Sequence, residues 1–272
     1  MKLGYLGPQG SYSYEAARAY APSDEHKPMA SFYEIIQAVE KENIDEGILP
    51  IENSIEGTVT FVLDGLLRIE KAQIIRELVF PIYHNLVSLN NNIEEINCIY
   101  SHPRAIEQCR GYFKRSIPEA ILIPCESTSL ACASAKRKGK NFAAIANMES
   151  SMIYGLNILE SNIQDNFLNQ TRFIIIGREP VSECHHCKVS IAFTFPDDSP
   201  GTLYKVLKVF ADKNINLTRI ESRPAKTEIG NYVFYIDFIE ASKDDTMYKA
   251  LHEIKSLTAS LKILGIYPAY LI

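Results

Sequence analysis

Five short polar clusters carry side chains able to hold an anion or move a proton, and each sits where one local pattern gives way to another. Gly7-Pro8-Gln9-Gly10-Ser11-Tyr12-Ser13 follows a short apolar run and opens a helical pattern. Glycines there free backbone N–H groups to converge, the helix start adds a positive dipole end, and Ser11 and Ser13 add hydroxyls. A glycine turn with a serine N-cap is the plainer reading. The spacing matches neither the dinucleotide nor the P-loop pattern, which rejects a nucleotide cofactor. Pro50-Ile51-Glu52-Asn53-Ser54-Ile55-Glu56-Gly57 presents Asn53, both donor and acceptor, with Ser54 or Thr58 free to cap the next helix; turn chemistry alone accounts for it equally.

Ser101-His102-Pro103 ends a strand and opens a helix carrying Gln108 and Cys109. Open α/β folds bind ligands beyond such strand ends. His102 titrates near neutrality, but a capping or structural role is the better reading, and Cys109 is expected in the core. Glu126, within Cys125-Glu126-Ser127-Thr128-Ser129, is either a working carboxylate or an acid stabilised by a helix dipole. Asn169-Gln170-Thr171-Arg172-Phe173 offers a hydroxyl, a guanidinium and an apolar wall. A strand alternates faces, so Thr171 and Arg172 need not share a site. Cys184-His185-His186-Cys187 is too tight to place four ligands tetrahedrally and has no second pair nearby, so no metal is expected.

The elements that must position these clusters follow from periodicity. Strands are expected at Lys2–Leu6 and Glu46–Ile51, with a helix through Ala21, another opened by the capping box Ser31–Glu34, and helical spacing of Val59, Val62, Leu63, Leu66 and Leu67. Two extended runs flank Pro81. A second set follows: a strand Asn97–Ser101, a helix Arg104–Arg115, a strand Ala120–Pro124, a helix Thr128–Lys138, a strand Phe142–Ala146 and a closing strand Thr171–Gly177. Alternating strands and helices argue for α/β architecture with parallel sheets. The extended passage 73–89 suits a crossover between two lobes, with the closing strand returning to the first and a ligand cleft between them.

Residues 179–188 read as a polar linker. Beyond it the order is strand (Lys188–Phe195), helix (Gly201–Lys213), strand (Asn216–Arg223), strand (through Glu240), helix (Asp245–Leu257) and strand (Leu261–Tyr267), a ferredoxin-like βαββαβ unit. The domain expectation is a catalytic region at 1–178, its second lobe at about 80–156, and a second domain at 188–272.

The 272 residues, 46% hydrophobic with a net charge of −5, suit one large domain or two unequal ones. No basic stripe marks a nucleic-acid binder. No apolar run approaches the roughly 20 residues needed to cross a bilayer. The N-terminus places Gly and Pro where an export signal has its apolar core, so a cytoplasmic protein with its six cysteines reduced is expected.

Together the motifs resemble the prephenate dehydratase family over nearly the whole chain. Gly7-Pro8-Gln9-Gly10, Pro50 to Ser54, Ser101 to Pro103 with Gln108-Cys109, Glu126 to Thr128, and Asn169 to Phe173 appear in the family's order. The C-terminal region resembles the attached ACT domain through Pro200 to Leu203 and Ile220 to Pro224. Tyr12 stands where Phe is more usual, and Thr202 where Ala is. The resemblance implies a catalytic region of two α/β lobes like type II periplasmic binding proteins, followed by the ferredoxin-like ACT domain. It implies a lyase converting prephenate to phenylpyruvate, carbon dioxide and water in L-phenylalanine biosynthesis, without metal or other cofactor. It points to Thr171, Glu126, Asn53, Ser101 and Gln108 as catalytic groups and to Gly10, Ser11, Ser13, Ser54, Arg172 and Phe173 as substrate contacts. L-Phenylalanine is the implied effector, held by Gly201, Thr202, Leu203, Asn216, Leu217, Glu221 and Ser222, in a homodimer or homotetramer paired through ACT domains. No nucleic-acid or membrane partner is implied.

In that chemistry the departing hydroxide needs a donor. Thr171 is too weak an acid to protonate it beforehand, so a hydrogen bond that tightens as charge builds is the expected role. Water, or Glu126 if burial keeps its carboxyl protonated, supplies the proton. Arg172 helps hold the dianion if it faces the cleft, and Phe173 dries the pocket. The Gly201 helix start can hold an effector carboxylate, and backbone carbonyls or Glu221 its ammonium; a plain turn and surface charges are the alternative. Competing readings are arogenate dehydratase, a two-lobed binding protein without chemistry, and a catalytically dead sensor.

Overall fold

The computed structural model describes residues 1–181, 187–197, 199–225, 231–239 and 245–268. The first lobe runs β1 (Lys2–Leu6), α1 (Tyr12–Tyr20), β2 (Glu25–Met29), α2 (Phe32–Glu40), β3 (Glu46–Asn53), β4 (Gly57–Thr58), α3 (Thr60–Leu66) and β5 (Gln73–Pro81). The chain then crosses to β6 (Asn85–Ser88), β7 (Cys98–Ser101), α4 (Pro103–Gln108), α5 (Arg110–Ser116), β8 (Ile121–Pro124), α6 (Thr128–Lys138), β9 (Phe142–Ala146), α7 (Met148–Tyr154) and β10 (Asn157–Glu160). It returns as β11 (Gln170–Gly177), which inserts between β3 and β5. The two sheets have the orders β2-β1-β3-β11-β5, with β4 on β3, and β10-β6-β9-β7-β8.

The crossover and the returning strand match expectation; the all-parallel sheets do not. β1 is parallel to β2 and β3, and β7 to β8 and β9, but β11 runs against β3 and β5, and β6 against β9. A strand that enters from a crossover starts at the cleft, where the parallel strands end, so it must run against them. β2 was not anticipated because Glu-His-Lys-Pro-Met lacks an apolar alternation, as befits an edge strand with a proline. The helix expected over Arg104–Arg115 breaks at Cys109. The break lets the Asp165 carboxylate accept from the N–H groups of Gly111 (2.7 Å) and Tyr112 (3.1 Å) at the start of α5.

Local signals place α2 well. Ser31 Oγ accepts from Glu34 N at 3.2 Å, and the Glu34 carboxylate reaches back to Ala30 N at 2.7 Å. Such a cap is worth about 1 kcal/mol. Ile35, Ile36 and Val39 then bury the inner face of α2.

The C-terminal region runs β12 (Cys187–Thr194), α8 (Thr202–Asp212), β13 (Leu217–Pro224), β14 (Tyr232–Ile239), α9 (Thr246–Leu257) and β15 (Ser260–Pro268). Its antiparallel sheet has the order β13-β14-β12-β15. Period-two alternation divides each strand. Val189, Ile191, Phe193, Ile236 and Phe238 pack under α8 and α9. Ala192, Val233, Tyr235, Leu264 and Tyr267 face the first lobe and share a core with Ile74, Ile174 and Ile176. Among the described residues no helix is long and apolar enough to cross a membrane. Cys98, Cys109, Cys125 and Cys132 are free thiols, whereas Cys187 is disulfide-bonded, an exception to the expectation of reduced cysteines. Cys184, His185 and His186 lie outside the described residues.

Candidate active site

A cavity of about 560 Å³ lies between the lobes, a size suited to a small metabolite. The turn into α1 contributes Ser11, Tyr12 and Ser13, the end of β3 contributes Asn53, and β11 contributes Thr171 and Phe173. From the second lobe come His102, Arg104, Gln108, Glu126 and Thr128, and Phe32, Pro50, Val59 and Ile82 supply apolar wall. The starts of α1 and α6 both border this space, and the first-turn N–H groups of a helix have no carbonyl partner within it. Such ends favour an anion.

At the centre is Thr171. Asn53 Oδ1 accepts from the N–H groups of Ile55 (2.9 Å) and Glu56 (3.0 Å), which fixes which way its amide faces. Its Nδ2 therefore donates, to Thr171 Oγ1 at 2.9 Å and Asn169 Oδ1 at 2.8 Å, with the Gln170 carbonyl at 3.1 Å. Thr171 Oγ1 is thus an acceptor toward Asn53, and its own proton is available to the cavity. Asn169 in turn donates to Gln108 Oε1 at 2.8 Å, and Gln108 Nε2 donates to Glu56 Oε1 at 3.1 Å. Glu56 also pairs with Arg104, so this turn of the first lobe is tied to α4 of the second.

Asn53, Gln108, Glu126 and Thr171 line one cavity, as do Ser11, Ser13 and Phe173. Four expected site residues stand elsewhere. Ser101 is fully buried beneath the cavity, and its hydroxyl donates to the Ile145 carbonyl at 3.1 Å. Ser54 Oγ donates to the Leu168 carbonyl and accepts from Gln170 N, both at 3.0 Å, which staples the turn to β11. Gly10 takes φ +85°, which favours glycine, and its carbonyl accepts from Ser150 Oγ at 2.6 Å. Arg172 is a correction. Alternation along β11 points it away from Thr171 and Phe173, and its Nε, Nη1 and Nη2 reach Glu77 (2.7 Å), Asp237 (2.6 Å) and Tyr267 (2.9 Å). Burial works against that cation, but the fields of Tyr267, Asp237 and Glu77 raise its pKa regardless. Glu126 is exposed at the cavity, so it lacks the burial that acid catalysis asks of it. His102 caps α4 through Nδ1, and Cys109 is buried.

The residue reading passed over His84 and Asn169. Both are buried, at 3% and 2% exposure, in the two chain segments that cross between the lobes. For His84 the available signal was a histidine inside the apolar run Ile82 to Leu89; Asn169 stands in a polar stretch and offered only its place at the head of the Asn169–Phe173 cluster.

The lobes also meet at Glu15 of α1, which accepts from Asn147 Nδ2 at 3.0 Å. Burial, only partly offset by Asn147 and reinforced by Glu149, pushes the Glu15 carboxyl up to about 7. A folded pKa above the usual carboxylate value means the stabilising protonated form persists at low pH. Its contribution is lost as pH rises from about 4.5 through about 7, a change of roughly 3 kcal/mol. Glu15→Gln is therefore expected to flatten the fall in unfolding temperature between pH 5 and pH 8. Parallel pH profiles for the two proteins would contradict this assignment.

In the C-terminal region, α8 starts at Gly201 with φ +87° and no side-chain cap, and the Thr202 N–H donates to the Ser199 carbonyl at 3.3 Å. Thr202 Oγ1 donates to the Ser199 carbonyl at 3.0 Å, Leu203 packs on the helix-side core, and the Asn216 carbonyl accepts from Ile239 N at 3.2 Å next to Leu217. Glu221 and Ser222 lie on opposite faces of β13. Glu221 turns toward the first lobe, where it accepts from Thr58 Oγ1 at 3.0 Å beside Arg219, so its side chain is engaged between domains. Ser222 is exposed.

Comparison with known proteins agrees with this architecture. The family model for prephenate dehydratase matches residues 3–181, and that for the ACT domain matches residues 191–256. A prephenate dehydratase of Methanocaldococcus jannaschii is 39% identical, with 98% of this chain and 97% of that protein covered. The crystal structure of a prephenate dehydratase in complex with L-Phe from Arthrobacter aurescens superposes with a TM-score of 0.89 at 30% identity, covering 98% of this chain and 90% of that one. A chain described as the quorum-quenching acylase GqqA also superposes at 0.89, with 26% identity and 99% and 98% coverage.

Proposed function

Because the chain belongs to the prephenate dehydratase family, we propose that it converts prephenate to phenylpyruvate, carbon dioxide and water in the cavity around Thr171. One observation carries the mechanism: Asn53 occupies the acceptor side of the Thr171 hydroxyl, so the hydroxyl proton is left to donate to the substrate. As the bond from the ring to its carboxylate breaks, that electron pair enters the ring and expels the hydroxyl, and the ring becomes aromatic. Carbon dioxide leaves, and the hydroxide takes a proton and departs as water. The Thr171 O–H strengthens its hydrogen bond as negative charge grows on the leaving oxygen. The net proton is taken up from bulk solvent, because Glu126 is too exposed for the acid role. Helix starts at α1 and α6 hold the substrate's carboxylates, and Phe173, Phe32 and Val59 form the drier wall beside the ring.

Incubation of the protein with prephenate tests this by the appearance of phenylpyruvate; absence of product would remove the reading. Running arogenate in parallel decides between the two dehydratase substrates. An acyl-transfer reading, suggested by the acylase of the same fold, asks for a nucleophile hydrogen-bonded to a base. Thr171 Oγ1 is paired with an amide instead.

The C-terminal domain is a sensor of L-phenylalanine in this reading. The family match and the Gly201 helix start, which carries no side-chain cap, support it. The protein works in the cytoplasm as a homodimer or homotetramer paired through this domain. Calorimetric titration with L-phenylalanine is expected to show saturable binding. Gly201→Ala strains a left-handed residue at the helix start and should weaken that binding about tenfold, a coupling-sized change of roughly 1.4 kcal/mol. Unchanged affinity would place the effector elsewhere.

A further inference from the structure

We propose that His84 is a positioning residue: through Gln108 and Asn169 it holds the amide of Asn53, and so fixes Thr171 Oγ1 as an acceptor and its O–H as the donor to substrate. The kinetic part of this rests on the proposed dehydratase reading; the structural part does not.

The contacts form one chain across both lobes. His84 Nε2 lies 2.8 Å from Gln108 Oε1, and its Nδ1 lies 2.5 Å from the hydroxyl of Tyr12 on α1. Each link can be given a direction by starting where the direction is forced. The backbone N–H groups of Ile55 and Glu56 make Asn53 Oδ1 an acceptor, hence Nδ2 a donor. Asn169 Oδ1 must then accept, so Asn169 Nδ2 donates, and the Gln108 atom facing it must be Oε1. That oxygen also faces His84 Nε2, which must therefore carry a proton. Burial lowers the His84 pKa, so the ring is neutral near pH 7 and Nδ1 is bare. The Tyr12 hydroxyl, whose pKa burial pushes up, lies between two acceptors, Nδ1 at 2.5 Å and the Tyr83 carbonyl at 3.0 Å, and its single proton goes to the nearer, Nδ1.

The chain is thus anchored at both ends, by backbone N–H groups at Asn53 and by the Tyr12 phenol at His84. If His84 took the other tautomer, its bare Nε2 would face the Gln108 oxygen. Flipping Gln108 to relieve that conflict would set its amide N–H groups against those of Asn169, and the conflict would pass along to Asn53. A buried polar group left without its partner costs about 1–3 kcal/mol. Two of the links, His84 and Asn169, sit in the two crossing segments, so the chain also registers how the lobes stand relative to the cleft.

The first test needs no activity. Imidazole 15N NMR of the wild-type protein near pH 7, with His84 assigned from its variants, should show Nε2 protonated and Nδ1 bare. The opposite tautomer overturns the proposal. The second test compares two isosteres. His84→Gln places an amide N–H near the Nε2 position, and His84→Asn places one near Nδ1. His84→Gln is expected to keep kcat within about threefold. His84→Asn should lose about 30-fold in kcat with KM nearly unchanged, within the roughly 100-fold that a misplacement of about 1 Å can cost. Equal kcat in the two variants, or a loss confined to KM, overturns it. Should His84→Asn fail to fold, Tyr12→Phe makes the same test. It should mix the tautomers and lower kcat while KM holds, and an unaltered tautomer with unaltered kcat overturns the proposal. A wild-type protein with no prephenate turnover removes the dehydratase reading and leaves the NMR result to decide this one.

Discussion

Thr171→Val is expected to lower kcat for prephenate by about 10²–10³, the usual loss when one hydrogen-bond donor to developing negative charge is removed. KM should stay within about threefold, because a donor that matters mainly in the transition state contributes little to ground-state binding. The substitution keeps the branched shape of a side chain that is 9% exposed. It also leaves the Asn53 amide satisfied, since Nδ2 retains Asn169 Oδ1 at 2.8 Å and the Gln170 carbonyl at 3.1 Å. A loss of activity therefore cannot be ascribed to a collapsed site. Thr171→Ser, which keeps the hydroxyl and its Asn53 contact, should recover most of the rate. Steady-state kinetics with near-normal turnover in the valine variant would take Thr171 out of the mechanism.

Arg172→Met is expected to act on stability. Three nitrogens of the guanidinium engage Glu77, Asp237 and Tyr267, and both carboxylates are nearly inaccessible, at 3% and 4% side-chain exposure. Lys188 pairs with Glu77, and Ser190 donates to Asp237 at 2.6 Å, so the buried part of the group carries two anions and two cations, with the partly exposed Glu52 carboxylate 3.9 Å from Arg172 Nη1 at its edge. Removing Arg172 leaves a buried negative charge without its partner, a change that costs roughly 3–5 kcal/mol. For a chain of this size that corresponds to a fall in unfolding temperature on the order of 10 °C. Arg172→Lys should fall between, because one ammonium cannot reach three partners in different directions. A methionine variant that melts with the wild type would show that the cluster contributes nothing to joining the C-terminal sheet to the first lobe.

Arg172 also marks where residue-level reading stops. Thr171 and Phe173, expected at the cleft from the family resemblance, both line the cavity because i, i+2 residues of a strand share a face. The same alternation left the side of Arg172 open until its partners were seen, and those partners, 95 and 65 residues away, leave no local signal. Periodicity and capping found the two lobes and the ferredoxin-like domain, since Ser31 with Glu34, the apolar face of α2 and the run Thr171–Gly177 are local features. The break at Cys109 was invisible because Asp165, which caps the second half, comes from a distant segment. Ser101 sits at the end of β7, as its motif implied, but whether a strand-end hydroxyl faces cleft or core depends on the neighbouring strand β9, whose Ile145 carbonyl takes its proton. His84 and Asn169 were missed for a related reason. Their value lies in a chain of contacts, and each alone looks like a polar residue in a crossover.

The central claim is that the Thr171 hydroxyl, turned by Asn53, meets the leaving oxygen of the substrate. The crystal structure of Thr171→Val soaked with prephenate tests it most directly, because substrate should accumulate unreacted. The ring hydroxyl is expected beside the substituted side chain, within reach of the space the threonine hydroxyl had filled, with both carboxylates toward the starts of α1 and α6. A ring hydroxyl pointing to the opposite wall of the cavity, away from β11 and Asn53, would contradict the mechanism.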